Sequence, residues 1–265
     1  MFVAINIGNT NTGFGIFQEE TLKGRDQAAT LRQPNEDEIR AQTEKFLANA
    51  GFKANEIKGA GISSVVPGLT GAYAAAVRSL FDAEPVIVHS SLDLGVKIHY
   101  ANPDTLGADR LCSAVAGYAK YGGPLIIIDF GTATTYNIVA ANGDFLGGVI
   151  APGIGTSAMS LHARAAQLPK VDLQLPRKVI GADTTSSMQS GILLGSIDAT
   201  IGMINRIRDE LKDRESKAAA VIATGGFSEF MGKQIDAIQH VEPSLVLDGI
   251  RLMYDRVHRG RRSGQ

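Results

Sequence analysis

The sequence predicts an α/β protein of two similar halves, each a mixed β-sheet flanked by helices, on three observations. Laid on itself at an offset of about 120 residues, the chain repeats one pattern. Residues 2–17 (FVAINIGNTNTGFGIF) line up with 125–139 (LIIIDFGTATTYNIV), which puts Asn6 on Asp129, Gly8 on Gly131 and Thr12 on Thr135. Each copy opens with a nearly continuous apolar run, the mark of a strand buried on both faces. It then passes through Gly and small hydroxyl or amide residues before a second apolar strand. Between and after the copies, strand-like and helix-like stretches alternate, which indicates crossover connections.

Taken in order, the first copy reads as strand, polar turn, strand. Residues 36–50 follow with helical apolar spacing (Ile39, Phe46, Leu47), and Gly51 stops that helix. A short strand is expected near 59–65, a helix over 69–81, a strand over 85–89 and an apolar helix over 111–121. The second copy continues into an Asn142-Gly143 hairpin signal and a third strand over 145–150. Residues 168–179, with Pro169 and Pro176, read as an irregular connection. A long helix over 187–211, a buried strand over 219–223 and a closing helix over 245–256 complete the chain. No low-complexity linker separates the halves, so the expected domains are 1–118 and 119–265, packed closely with a cleft between them.

Composition narrows the function classes. The 265 residues include 26 Lys+Arg and 27 Asp+Glu, a formal net charge of -1, and Cys112 as the single cysteine. No disulfide framework or CxxC pair exists, and His89, His99, His162, His240 and His258 never fall at i, i+4 spacing, so a structural metal site is not expected. Near-zero charge argues against nucleic acid. The one basic cluster, Arg256 to Arg262, reads as a solvated, frayed end. The apolar runs are short and no basic segment precedes Phe2, so neither a signal peptide nor a membrane span is expected, and the protein is expected in the cytoplasm.

Three Gly- and Thr-rich turns carry the chemistry: Gly8 to Thr12, Gly131 to Thr135 and Thr224 to Gly226. Small residues let backbone N–H groups approach an oxyanion, and Thr and Asn add donors, so such turns cradle phosphates without a Walker motif, which this chain lacks. One turn alone reads better as a plain hairpin. Two homologous turns and a third Gly pair after a buried strand favour a nucleotide site. Asp129 ends a buried strand, where a carboxylate needs a cation or several donors; the alternative is acceptance from its own turn. Asp109, in Gly107-Ala108-Asp109-Arg110, reads equally as a site acid and as a helix cap or first-turn acid. Tyr100 and Asn102 either line a pocket or pack half-buried. Thr184 and Thr185 read as helix N-cap residues. Cys112 reads as core, and His99 and His162 have no evident partner.

Seven segments in order, INIGNTNTGFGIF, SSVVPGLT, GADRL, DFGTATTYNIV, GDFLGGVIAPGI, MQSGILLG and VIATGG, span nearly the whole chain. Together they resemble the type III pantothenate kinases, the Bvg accessory factor family of the acetate and sugar kinase/actin-like ATPase superfamily. The resemblance implies two duplicated actin-like (ribonuclease H-like) domains with ATP in the cleft. It also implies ATP-dependent phosphorylation of pantothenate to 4'-phosphopantothenate, the first step of coenzyme A biosynthesis.

Carried over by position, the resemblance puts the first phosphate segment on Asn6, Ile7, Gly8, Asn9, Thr10, Asn11, Thr12 and Gly13. Further ATP contacts fall on Thr132 and on Gly225 and Gly226. Pantothenate contacts fall on Tyr100, Gly107, Ala108, Asp109, Arg110 and Thr184, with Asp109 as general base. Asp129 takes the place tied to a monovalent cation. The implied cofactors are ATP with Mg2+ or another divalent metal, and K+ or NH4+; the implied assembly is a homodimer. Arg110 suits a carboxylate through paired hydrogen bonds.

One residue departs from the pattern: the family has Asp where this chain has Asn6. An amide offers one neutral oxygen in place of a charged pair, so metal affinity falls. Two readings follow, a working kinase with a weakened metal position and a paralogue that binds nucleotide without turnover. Another small-molecule or sugar kinase on the same fold, and a pure scaffold, are the remaining alternatives.

Overall fold

The computed structural model of the chain describes residues 1–92 and 95–263. The chain forms two compact units, one made of residues 1–120 with the chain from Ser244 onward, the other of Tyr121–Pro243.

In the first unit, strands β1 (Phe2–Ile7), β2 (Asn11–Gln18), β3 (Thr21–Ala29), β4 (Gly59–Ser64) and β5 (Val86–Ile87) form a sheet ordered β3-β2-β1-β4-β5. β1 runs antiparallel to β2 and parallel to β4. One face carries Val3, Ile5, Ile7, Phe14, Ile16 and Ile62, all buried, under helices α1 (Glu36–Asn49) and α2 (Pro67–Phe81). α1 starts where the sequence can cap it: the Asn35 side chain accepts from Glu38 N, and the Glu38 carboxylate accepts from Asn35 N, both at 2.9 Å. It ends before Gly51, whose φ of +80° a side chain would strain.

The other face is stripped of side chains at Gly15, Gly59 and Gly61. A Cβ on Gly59 would meet Tyr254 Oη at 2.1 Å, and one on Gly61 would meet Ile250 Cγ2 at 2.5 Å. Tyr254 and Ile250 belong to the closing helix, numbered α8 below (Leu245–Ser263), which lies directly on the strands. On its other side, a Cβ on Gly249 would meet the Cys112 carbonyl oxygen of helix α3 (Ala108–Tyr121) at 2.1 Å. This corrects the expected boundary of 119–265: the closing helix packs in the first unit, on that glycine-lined face. The basic end is also not frayed, since α8 continues through Ser263 and Arg256 packs against Gly95.

The second unit repeats the plan. Strands β6 (Leu125–Phe130), β7 (Ala133–Val139), β8 (Phe145–Pro152), β9 (Ala220–Thr224) and β10 (His240–Val241) are ordered β10-β9-β6-β7-β8, the same topology strand for strand. The Asn142-Gly143 hairpin forms, with Gly143 N donating to Ala140 O at 3.0 Å. Around the sheet lie α4 (Ile154–Arg164), α5 (Thr184–Gln189), α6 (Gly195–Leu211) and α7 (Ser228–Gly232). A π-helical turn, Ser190–Leu194, joins α5 to α6, so the long helix expected over 187–211 is three segments of helix.

The two hairpins differ by one residue. The first turn has three residues between its strands (Gly8 to Thr10) and the second has two (Gly131 and Thr132). Register shows the effect: Thr12 pairs with Ile7, and Thr134 pairs with Phe130. The counterpart of Thr12 is therefore Thr134, not Thr135, and both are buried. Asn6 and Asp129 remain equivalent, each one residue before the end of the first strand of its sheet. No described helix is long and apolar enough to cross a membrane.

Candidate active site

In the first unit, the Gly8 to Thr10 turn is held by a residue that the sequence reading passed over. Thr30 N donates to Thr10 O at 2.9 Å, and its hydroxyl donates to Gly8 O at 2.7 Å. Thr12 Oγ1 lies 3.1 Å from Thr30 Oγ1. With the Thr30 proton on Gly8 O, Thr12 is the donor in that pair. These bonds rigidify the turn, the pre-organisation that a phosphate cradle needs. Gly8 itself is required, because a Cβ there would meet Asn11 O at 2.8 Å.

Asn9, Thr10 and Asn11 are exposed, while Asn6 and Gly13 are partly so. Ile7 and Thr12 are not accessible: both are 0% exposed, Ile7 in the apolar core and Thr12 on Thr30. Neither of these two expected nucleotide contacts is accessible, backbone included. Asn6 stands in register with Ser63 of β4, which is buried and whose hydroxyl lies beside the Cys112 thiol. Ser63, in the SSVVP segment, is a second polar group at the strand ends that the sequence pattern does not mark.

The GADR segment forms the first turn of α3. Asp109 is a first-turn acid, and its Oδ1 accepts from Arg110 N at 2.7 Å. Gly107 leaves room for this carboxylate, since a Cβ there would lie 2.6 Å from Asp109 Oδ1. Burial raises the Asp109 pKa above the usual carboxylate range, opposed in part by the Arg110 N–H and the Arg110 charge. One turn on, burial and the Asp109 charge push the Cys112 thiol up, with Ser63 beside it acting the other way. Cys112 is thus an inert core thiol. Arg110 is 7% exposed, and its guanidinium carbon sits 5.9 Å from the centre of the half-buried Tyr100 ring. The structure therefore brings Tyr100, Gly107, Asp109 and Arg110 together. Ala108 is buried and offers only backbone.

In the second unit, Asp129 is wedged between two glycines. A Cβ on Gly225 would lie 2.2 Å from Asp129 Oδ1, and one on Gly131 would lie 3.1 Å away. Gly225 also has φ +86°, whereas a Cβ on Gly226 meets nothing within 4 Å. Thr132 is exposed. Its carbonyl accepts from Thr156 Oγ1 at 2.6 Å and from Gly153 N at 3.2 Å, which ties the second turn to α4.

Thr184 is exposed as the first residue of α5. The N-cap is Asp183, in a reciprocal box with Ser186, and not Thr184 or Thr185 as the sequence suggested. Thr184 lies on the wall of a cavity of about 1050 Å³ with Pro152, Leu161, Met188 and Gly191. Asp129, Thr132 and Gly225 do not line it. His162 does have a partner, its Nδ1 lying 2.8 Å from Leu168 O. Among the described residues no group of three or more His, Cys, Asp or Glu is placed to hold a metal ion.

The sequence profile of the type III pantothenate kinases matches residues 2–206. Proteins named type III pantothenate kinase are similar over almost their whole length. One from a Roseiflexus species is 40% identical over 255 residues, 96% of this chain and 98% of that one. One from Moorella thermoacetica is 39% identical over 256 residues, 97% and 99%. One from Thermomicrobium roseum is 40% identical over 259 residues, 98% of each.

Solved structures share the fold. A conserved putative Baf family transcriptional activator from Campylobacter jejuni has TM-score 0.57 at 18% identity, covering 97% of this chain and 99% of that one. A putative N-acetylglucosamine kinase from Porphyromonas gingivalis has TM-score 0.53 at 14% identity, covering 97% and 100%. The fold is two duplicated actin-like domains with mixed five-stranded sheets flanked by helices. A profile covering most of the chain and relatives near 40% identity end to end lead to one conclusion: the chain belongs to the type III pantothenate kinase family.

Proposed function

We propose that the protein transfers the γ-phosphoryl group of ATP to the primary hydroxyl of pantothenate, the first step of coenzyme A biosynthesis. Membership of the family is the basis, and one observation in this chain carries the chemistry. A carboxylate with raised proton affinity, Asp109, sits one residue from a buried guanidinium that lies against Tyr100. Arg110 pairs with the pantothenate carboxylate, and Tyr100 packs on its carbon skeleton. Asp109 accepts the hydroxyl proton as the new P–O bond forms and the bond from the γ-phosphorus to the bridging oxygen of ADP breaks. The rigid turns at Gly8 to Thr10 and Gly131 to Thr132, with Gly225 and Gly226, contact the nucleotide.

The donors at the strand ends are hard oxygens: the Asn6 amide in the first unit suits Mg2+, and, separately, the Asp129 carboxylate in the second suits a monovalent cation such as K+ or NH4+. When bound, Mg2+ neutralises charge on the transferring phosphates. Because ATP phosphates supply much of that coordination, an amide at position 6 is compatible with turnover, and no observation favours a non-catalytic paralogue.

The assembly we propose is a homodimer, in the cytoplasm. The second unit exposes Ile150, Met159, Val179 and Ile180 at 63–87%, and a helix stripe of Ser187, Gly191, Gly195 and Ala199 lines its cavity. Cβ atoms at Gly191 and Gly195 meet nothing within 4 Å, so the fold of one chain does not need these helix glycines, each of which costs about 1 kcal/mol against Ala. Close approach of a second copy does need them.

A coupled assay of ADP release with pantothenate, ATP, Mg2+ and K+ tests the reading. Turnover that depends on pantothenate and disappears in Asp109→Ala is expected. Equal ADP release without pantothenate, or with a sugar alone, overturns it.

A further inference from the structure

We propose that Ser190, on the π-helical turn, is a positioning residue that sets pantothenate affinity by fixing the strap that leads into Thr184. The inference rests on the reading of Thr184 as a substrate contact.

Residues 174–183 cross the surface of the second unit without regular structure, and burial does little to hold them. Leu168, Val171 and Leu173 pack on the core, but Val179 is 72% and Ile180 is 87% exposed. From Leu175 to Ala182, one hydrogen bond exists among the described residues: Ser190 Oγ donates to Val179 O at 2.6 Å. Either side of it, Gln189 Nε2 donates to Asp172 O at 2.8 Å, and Gly181 lies so near Ser187 that a Cβ would meet its backbone N at 2.4 Å. Asp183 then caps α5, and Thr184 follows on the cavity wall.

The π turn explains why Ser190 can do this. A π turn inserts one residue into a helix, a strained arrangement kept where it serves a purpose. Here Met188, Ile192, Leu193 and Ile197 are buried in the core, while Ser190 bonds the strap and Gln189 bonds the Asp172 carbonyl just before it. An unbroken α-helix rotates about 100° per residue, so without the insertion the residues before position 190 would point elsewhere relative to those after it. Ser190 is itself 8% exposed, so water does not compete for its bond. Within 175–182 the cavity wall is thus fixed by this one hydroxyl and by the close packing of Gly181 on Ser187.

Steady-state kinetics on four variants of the full-length protein test the proposal. Ser190→Ala should raise KM for pantothenate about fivefold, the effect of one lost hydrogen bond, with KM for ATP and kcat unchanged. Ser190→Thr, which keeps the hydroxyl, should restore it. Thr184→Ala should raise the same KM, and adding Ser190→Ala to it should add little, because both act through one contact. If Ser190→Ala fails to fold, Ser190→Cys, which keeps the shape but donates weakly, takes its place. Unchanged pantothenate KM in the Ser190 variants while Thr184→Ala raises it overturns this inference alone. So do equal rises in both KM values, or additive effects in the double variant. No effect of Thr184→Ala on pantothenate KM overturns the substrate reading of Thr184 and the inference with it.

Discussion

Gly225 and Asp129 leave no room for one another's substituents: a Cβ on the glycine would lie 2.2 Å from the carboxylate oxygen. Asp129 and Thr224 are register neighbours on parallel strands, so the residue after Thr224 has to bend around the acid. The missing side chain is what permits an ionisable group to end a buried strand.

Gly225→Ala should therefore damage both stability and turnover. The φ of +86° alone costs about 1–2 kcal/mol for a residue with a Cβ, and displacement of Asp129 adds to it. Denaturant unfolding is expected to show a loss of about 2 kcal/mol or more, and kcat a loss of at least about tenfold. Wild-type values in both would mean that the carboxylate can move freely.

Asp109→Asn should abolish turnover while raising stability at pH values above the raised folded pKa of the wild-type carboxyl. The sign follows from the upward shift. A carboxyl whose folded pKa is raised contributes fully below its unfolded pKa, and that contribution is lost as pH rises through the folded value. Above its raised folded pKa the wild type holds a buried charge that the amide variant avoids, and the gap closes at lower pH, where both are neutral. Thermal unfolding across pH measures this. In the same window, kcat/KM for pantothenate should rise with pH as Asp109 ionises.

Asn6→Asp should lower the Mg2+ concentration giving half-maximal rate, because a carboxylate replaces a single amide oxygen. A Mg2+ titration at fixed ATP reads the shift. A rise in that concentration would place the metal away from the end of β1.

Gly191→Phe should leave each chain folded yet yield monomers. An added Cβ meets nothing within 4 Å in one chain, whereas a ring would block a second backbone. Light scattering gives the mass directly, and an intact dimer would move the interface to another face.

The duplication was legible because Asn6 and Asp129 stand in matching apolar strands, and sheet order repeats faithfully. The one-residue difference between the turns was not, since pairing Thr12 with Thr135 costs nothing on paper; only strand register shows Thr134 opposite Phe130. β3 escaped notice because its residues alternate in exposure without an apolar face, and Thr30, just past its end, was missed with it. GADR was readable as a motif, but the burial that makes Asp109 a better base arises from packing. The π turn is a matter of helix register, to which periodicity over 187–211 is blind.

The lodging of α8 against Gly59 and Gly61 has a temporal consequence. Residues 121–243 are contiguous and emerge from the ribosome complete, whereas the unit that begins at Met1 must wait for its final strip of chain. The half synthesised first is thus finished last, and until Tyr254 and Ile250 arrive, a glycine-lined sheet face stands open to nascent-chain chaperones and to misassociation.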